Sequence, residues 1–120
     1  MVDGIGTDIV ETARVERAIQ RTRGFLQRVF TETEISYCQK HTAQQYQHFA
    51  GRFAAKEAVI KALGRGVPWR DIEITNDERG KPLCTLHGKA AEVAAGRRIL
   101  VSISHCEAYS TACAVALEPA

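Results

Sequence analysis

The stretch FAAKEAVIKALG, residues 53–64, forms the centre of the longest helix that the sequence predicts. The surrounding segment from Ala43 to Leu63 contains no proline and is rich in alanine, and Gly64 after it suits a left-handed helix cap. Four apolar side chains of this segment fall on one stripe: Phe49, Phe53, Ile60 and Leu63. We therefore expect a long helix that packs on the core through one face.

Shorter elements flank this helix on both sides. A strand is predicted over residues 4–10, a helix over residues 12–22 that stops near Gly24, and a capped helix that opens at Thr31. Four more strands and one short helix follow the long helix, over residues 71–75, 83–86, 88–96 (helix), 99–105 and 111–117. A turn with Gly80 at positive φ joins the first two of those strands. The order predicts an α+β fold, a compact single domain over residues 1–120 with a mainly antiparallel sheet, one long helix and several short ones.

The first strand has an unusual face. In GIGTDIV, residues 4–10, the alternation places Gly4, Gly6 and Asp8 on one side of the strand. Glycine weakens a strand unless something must approach closely, so this side is expected to meet a ligand or another backbone.

Composition narrows the class of protein. The chain has 120 residues, 45% of them hydrophobic and 25% charged, with a formal net charge of +2, which is typical of a globular protein and gives no indication of nucleic-acid binding. Its apolar runs are too short for a membrane span, and no signal segment opens it. The four cysteines form no C-x-x-C pair, which predicts free and mostly buried thiols in the cytoplasm.

Two carboxylates and two lysines depart from a purely structural pattern. Asp8 lies on the glycine-bearing face, whereas Glu57 and Lys61 stand one turn apart on the long helix. A surface salt bridge is the simpler interpretation of the helical pair. Lys56 falls in the middle of the apolar stripe, where a lysine must reach solvent, find a partner or lose its charge.

Together these residues indicate a metal–phosphate site. Asp8 and Glu57 can hold Mg²⁺, with Mn²⁺ as a second candidate, and Lys61 can neutralise a phosphate on that ion. Gly64 and Gly66 leave backbone exposed beyond the helix, and no nucleotide-binding glycine loop is present. His105 ends a strand, where it is either a general base or a half-buried structural histidine.

The motifs in this order resemble the holo-acyl-carrier-protein synthase family, the small 4′-phosphopantetheinyl transferases. The resemblance rests on GIGTDIVE at residues 4–11, RFAAKEA with Lys61-Ala62 at residues 52–62, GRG at residues 64–66, the turn ending in GKP at residues 80–82, and VSISH at residues 101–105. It implies transfer of 4′-phosphopantetheine from coenzyme A to a serine of apo-acyl carrier protein, which belongs to fatty acid biosynthesis and lipid metabolism.

The resemblance also implies roles for single residues. Asp8 and Glu57 would ligate the metal, and Lys61 would bind the transferred phosphate. The coenzyme A contacts would comprise Lys56, Lys61, Arg52, Gly64, Gly66 and His105, and the catalytic set would be His105, Lys61 and Glu57. Family members form trimers with coenzyme A held between subunits, and Arg14 and Arg21 match the helix that receives the acidic carrier protein.

Several alternatives stay open at the level of sequence. The base that accepts the serine proton is either His105 or a metal-bound water. The residue for the 3′-phosphate of coenzyme A is undefined, because the segment from Lys40 to His48 has only three basic side chains. A metal-dependent nuclease uses similar residues, although usually with a strand-borne E-x-K, and a carrier-binding module without catalysis is the non-enzymatic alternative.

Overall fold

The computed structural model describes residues 1–120 as five α-helices, five strands and two short 3₁₀ turns at Thr42–Gln44 and Trp69–Asp71. The helices are α1 (Thr12–Arg21), α2 (Phe25–Val29), α3 (Glu32–Lys40), α4 (Gln45–Leu63) and α5 (Gly88–Ala94). The strands are β1 (Val2–Glu11), β2 (Ile72–Asn76), β3 (Pro82–Leu86), β4 (Arg98–His105) and β5 (Tyr109–Leu117). None of the helices is both long and apolar enough to cross a membrane. The predicted α+β class is confirmed.

The strands form two separate antiparallel sheets. In the larger sheet, β5 lies in the centre between β1 and β4, so the first strand of the chain pairs with the last one. Asp8 lies opposite Ala112 in the pairing of β1 with β5. The smaller sheet is the hairpin of β2 and β3, whose turn places Gly80 at φ 85° as predicted.

The glycines of β1 bring the strand backbone against helix α4. A Cβ atom added at Gly4 would collide with the carbonyl oxygen of Ala62, and one at Gly6 would collide with the carbonyl oxygen of Ala58. Because glycine alone leaves this space empty, strand and helix touch backbone to backbone. The expectation that this face of β1 meets another backbone is confirmed.

Helix α4 is buried on nearly all sides, so the prediction of a single apolar stripe is wrong. Phe53 and Ile60 of the stripe are only half buried, whereas the alanines between them are among the least exposed residues of the chain. One hydrophobic cluster joins α4 to β2, β5 and α5, and a second joins α4 to the first three helices. The helix therefore lies between two cores, and its small residues admit close neighbours on both sides.

Two further expectations are corrected by the structure. Helix α1 ends at Arg21, and Gly24 at φ 79° precedes the unpredicted helix α2 instead of stopping α1. All four cysteines are free, but Cys106 and Cys113 are exposed, so the expectation of mostly buried thiols is wrong. Burial raises the pKa of the Cys38 and Cys84 thiols to about 12.

Candidate active site

Asp8 and Lys61 meet where strand β1 crosses helix α4. The Nζ of Lys61 lies 3.4 Å from Oδ1 of Asp8 and donates a hydrogen bond of 2.8 Å to the carbonyl oxygen of Thr7. The Asp8 side chain is 18% exposed and that of Lys61 is 55% exposed. The close contact of strand and helix thus gives a carboxylate and an ammonium group at one open edge, although 53 residues separate them in the chain.

Glu57 is held by a tryptophan and not by the lysine one turn later. The indole Nε1 of Trp69 donates a hydrogen bond of 2.7 Å to Oε1 of Glu57, and this carboxylate forms no ion pair. The simpler interpretation of Glu57 and Lys61 as a surface salt bridge is therefore wrong, because Lys61 is paired with Asp8.

Both predicted metal ligands line one cleft between β1, α1 and α4. The cleft has a volume of about 310 Å³, and Asp8 and Glu57 share it with apolar side chains that include Phe25 and Phe53. Arg14 of α1 lies on its wall. The apolar walls limit contact with water, which strengthens the electrostatic interactions of a charged ligand bound there.

The donor set of this cleft fits magnesium. No group of three or more histidine, cysteine or acidic side chains is arranged to hold a metal ion by itself. Mg²⁺ is commonly bound by one or two carboxylates, with waters and substrate phosphates completing its shell. Asp8 and Glu57 supply those two carboxylates, and the single hydrogen bond to Oε1 of Glu57 leaves its Oε2 available.

Lys56 points away from this cleft into the protein. Its side chain is 0% exposed, and its Nζ contacts Oε1 of Glu34 at 2.8 Å, the carbonyl oxygen of Trp69 at 3.1 Å and the carbonyl oxygen of Ile72. The three protons of the ammonium group are therefore all used within the protein. Burial lowers the pKa of Lys56, and the Glu34 carboxylate opposes that shift. The geometry gives Lys56 a structural pairing instead of the direct coenzyme A contact that the resemblance implies.

Arg52 and His105 line a second cleft, apart from Asp8 and Glu57. This cleft has a volume of about 220 Å³, with Asn76 and Tyr37 also on its wall. Nη2 of Arg52 donates a hydrogen bond of 2.7 Å to Oδ1 of Asn76, and the guanidinium lies 4.2 Å from the centre of the Tyr37 ring. Within the chain, the predicted site residues therefore fall into two groups.

The second cleft also contains His48. Its ring centre lies 4.6 Å from that of His41 and 6.5 Å from that of His105. Burial lowers the pKa of His48, and the nearby positive charges of His41, Arg52 and His105 lower it further. The imidazole is therefore held in its neutral form.

The remaining predicted residues lie at the surface. Gly64 takes φ 76° and closes helix α4, and an added Cβ at Gly64 or Gly66 would meet no atom within 4 Å. Arg14 and Arg21 are exposed on α1. Seven residues separate them, so they lie about two helical turns apart on one side of that helix.

Three contacts of the site were missed at the level of sequence. The predicted cap at Thr31 is confirmed as a capping box that Glu34 completes, and the pairing of Glu34 with Lys56 is a contact between distant segments. Trp69 was expected only in a loop and Asn76 only at the start of the turn that ends in GKP, although each fixes a predicted site residue. The only sequence signal for these contacts is that polar side chains near turns often take part in binding sites.

Known proteins match the chain over most of its length. A family model described as the 4′-phosphopantetheinyl transferase superfamily matches residues 4–114. The holo-[acyl-carrier-protein] synthase of Protochlamydia amoebophila is 46% identical over 120 residues, which cover 96% of this chain and 98% of that protein.

Solved structures agree with this match. The crystal structure of holo-ACP-synthase from Plasmodium yoelii is similar with a TM-score of 0.86 and 35% identity, covering 97% of this chain and 94% of that one. The holo-(acyl-carrier-protein) synthase of Bacillus anthracis, solved in complex with CoA (3′,5′-ADP), has a TM-score of 0.82 and 36% identity, covering 97% of this chain and 96% of that one. The chain belongs to the 4′-phosphopantetheinyl transferase superfamily, among its holo-[acyl-carrier-protein] synthases.

Proposed function

We propose that the protein transfers the 4′-phosphopantetheine arm of coenzyme A to a serine of apo-acyl carrier protein, releasing adenosine 3′,5′-bisphosphate. A single transferase domain over residues 1–120 performs the reaction. The observation that carries this function is the meeting of Asp8, Glu57 and Lys61 at the crossing of β1 and α4, in a chain that matches holo-[acyl-carrier-protein] synthases over most of its length. Family membership favours transfer over the nuclease and over a binding module without catalysis.

Asp8 and Glu57 would hold Mg²⁺, or Mn²⁺ in its place. When bound, the ion would supply the positive charge that a phosphoryl transfer needs as negative charge builds up on the phosphoryl oxygens. Asp8 is only loosely paired, at 3.4 Å from Lys61, so its carboxylate can accept a metal without breaking a tight ion pair. Trp69 orients Glu57 through its hydrogen bond and so positions the second ligand.

Lys61 would bind the transferred phosphate. Its ammonium group is 55% exposed, and it uses two of its three protons on Thr7 and Asp8. The third proton is free for a phosphate oxygen in the adjacent cleft. Lys61 thereby orients the phosphate and stabilises the charge that develops on it.

The two clefts support an assembly in which neighbouring subunits complete each site. The outer face of the large sheet exposes apolar side chains, with Ile5 at 68%, Ile9 at 67% and Leu100 at 51%. Such a face indicates a protein interface. We infer a homotrimer in which the Asp8–Glu57 cleft of one subunit faces the Arg52–His105 cleft of the next, with coenzyme A between them.

The serine of the carrier loses its proton as it attacks the β-phosphorus, and the leaving adenosine bisphosphate takes the bonding electrons. His105 of the neighbouring subunit is one candidate for the group that accepts the proton. A water oriented near Asp8 and Glu57 is the other. His105 lines the second cleft, and Asp8 and Glu57 line the first, so either group could reach a serine bound between the two clefts.

Arg14 and Arg21 on helix α1 are proposed to receive the acidic carrier protein. Arg14 lies on the wall of the Asp8–Glu57 cleft, so a carrier bound on α1 places its serine beside the proposed metal. Long-range attraction between the basic helix and an acidic partner accelerates encounter. This role sets the protein in fatty acid biosynthesis, in the cytoplasm.

A transfer assay tests the proposed function. The protein is incubated with coenzyme A, Mg²⁺ and apo-acyl carrier protein, and the mass of the carrier is followed. We expect the addition of one phosphopantetheine group, and no addition with the Asp8→Ala or Glu57→Ala variant. Arg79→Ala, an exposed change in the β2–β3 turn, is the matched control for the two variants. Addition by either acidic-site variant at the wild-type rate would contradict the metal assignment, and no addition by the wild type would contradict the function.

A further inference from the structure

The second cleft is lined by positive and neutral groups alone. None of its ten lining residues is acidic. Arg52 is only 4% exposed, its Nε is buried without a hydrogen-bond partner, and its guanidinium forms no ion pair. A buried and unpaired guanidinium is costly, so this cleft is built for an anion.

His48 faces the same space from the helix that carries Arg52. The groups around its imidazole are His41 after α3, Tyr37 within α3, Arg52 on α4 and His105 on β4. No carboxylate from any of these elements offsets their charge at His48. A phosphate beside Arg52 would offset the positive charges around the ring and favour the imidazolium form, against the burial that favours the neutral form.

We propose that His48 is a phosphate-binding residue that takes up one proton from solvent when a phosphate group of the coenzyme A nucleotide enters the cleft beside Arg52. The proposal rests on the proposed function, because that function supplies the nucleotide. The ring centre of His41 lies 4.6 Å from that of His48, so the bound phosphate has to outweigh the repulsion that His41 exerts on a protonated His48.

The proposal fixes the direction of the pH dependence. The pKa of His48 is lowered in the free protein and raised by the bound phosphate. The gain in nucleotide affinity is therefore fully present below the lowered pKa of the free protein and is lost as pH rises through the pKa of the complex. The phosphate group titrates as well, with a second pKa of about 6. Its own deprotonation strengthens binding as pH rises, which opposes the effect of His48.

The experiment measures the dissociation constant of adenosine 3′,5′-bisphosphate for wild type and His48→Phe from pH 5.5 to pH 8.5. Because the protonation of the ligand affects both dissociation constants equally, its contribution cancels in the ratio of the two constants at each pH. A rise of the histidine pKa by one unit corresponds to at most a tenfold change in affinity, reached below the pKa of the free protein, so we expect the variant to bind more weakly by up to roughly tenfold at pH 5.5 and about equally at pH 8.5. A ratio that does not change with pH would overturn the proposal.

A second measurement needs no variant. Calorimetric titration of the wild type at pH 7, in two buffers with different heats of ionisation, reports the protons taken up on binding. We expect net uptake, which His48→Phe and His48→Gln reduce and which His87→Gln leaves unchanged. His87 is the matched control, because it stands at the start of α5, does not line the second cleft and pairs with Glu73. Equal uptake by wild type and His48→Gln would overturn the proposal.

Adenosine 5′-monophosphate identifies the phosphate concerned. If the ratio no longer depends on pH with this ligand, the 3′-phosphate contacts His48. If the pH dependence persists, the 5′-phosphate contacts His48. Either result supports the proposal. Absence of all binding by the wild type would contradict the proposed function, whereas binding without proton uptake would contradict the role of His48 alone.

Discussion

The indole Nε1 of Trp69 lies 2.7 Å from Oε1 of Glu57, so a loop residue fixes one oxygen of the proposed metal ligand. Trp69→Phe removes this donor while keeping an aromatic ring against Phe53. A hydrogen bond to a charged group contributes about 1.5–3 kcal/mol, so we expect the Mg²⁺ concentration for half-maximal transfer to rise roughly tenfold. The rate at saturating Mg²⁺ should change less. Mg²⁺ titration of the transfer rate measures both, and an unchanged half-saturation would exclude a positioning role for Trp69.

Lys56→Met is expected to destabilise the protein strongly. The change leaves the carboxylate of Glu34, 0% exposed, without its ion-pair partner. Breaking a buried pair in this way costs about 3–5 kcal/mol. Urea denaturation should show this loss, whereas Lys89→Met at an exposed position should show almost none. A raised KM for coenzyme A with unchanged stability would instead establish direct cofactor contact by Lys56.

Gly6→Ala tests the contact of β1 with α4. The added Cβ would lie 2.8 Å from the backbone nitrogen of Ala62 and 2.9 Å from Cβ of Lys61. Because the backbone cannot move aside cheaply, we expect a loss of about 1–3 kcal/mol or more in the free energy of unfolding. Transfer activity should fall as well, since Lys61 is displaced. Gly66→Ala meets open space and is the control for stability; equal stability of the two variants would contradict the close contact.

Mixing two inactive variants tests whether sites lie between subunits. Asp8→Ala disables one cleft and Arg52→Ala disables the other. If each site takes one cleft from each of two neighbours, random mixed trimers contain some intact sites, and refolding the two variants together should restore roughly a quarter of the wild-type activity. A mixture as inactive as its components would show that each subunit uses only its own clefts.

His105→Ala separates the two candidates for the base. If His105 accepts the serine proton, kcat should fall by roughly 10²–10⁴-fold, much more than KM for coenzyme A rises. His87→Ala, which removes an exposed histidine that lines neither cleft, is the control. An unchanged kcat would assign the proton to water near Asp8 and Glu57.

Local patterns were sufficient to predict the elements that hold the metal–phosphate residues. The alternation in β1 and the glycine cap of α4 are set by residues within a few positions, and both agree with the structure. Helix α2 was missed, because its five residues are too few to show a period. The single stripe on α4 was wrong because a helix between two cores has no polar side to define one face.

The sequence was sufficient to predict which residues belong to the candidate site, but not which of them contact one another. Residue types identified Asp8, Glu57 and Lys61, yet sequence spacing could not distinguish a Glu57–Lys61 pair from the observed Asp8–Lys61 pair. The Lys56 side chain is held inside the protein by Glu34 and by the carbonyl oxygens of Trp69 and Ile72, all of which are remote in sequence. Contacts between remote segments of this kind follow from the packing of the whole chain, so no local pattern reports them.

Trp69 is held twice, through its indole by Glu57 and through its carbonyl oxygen by Lys56. It is also the only tryptophan of the chain. The protein therefore contains its own optical probe: when the indole is excited selectively over the three tyrosines, the emission comes from one fluorophore that touches a proposed metal ligand. Occupancy of the Asp8–Glu57 cleft and unfolding of the chain can be followed by the same fluorescence signal, without a label.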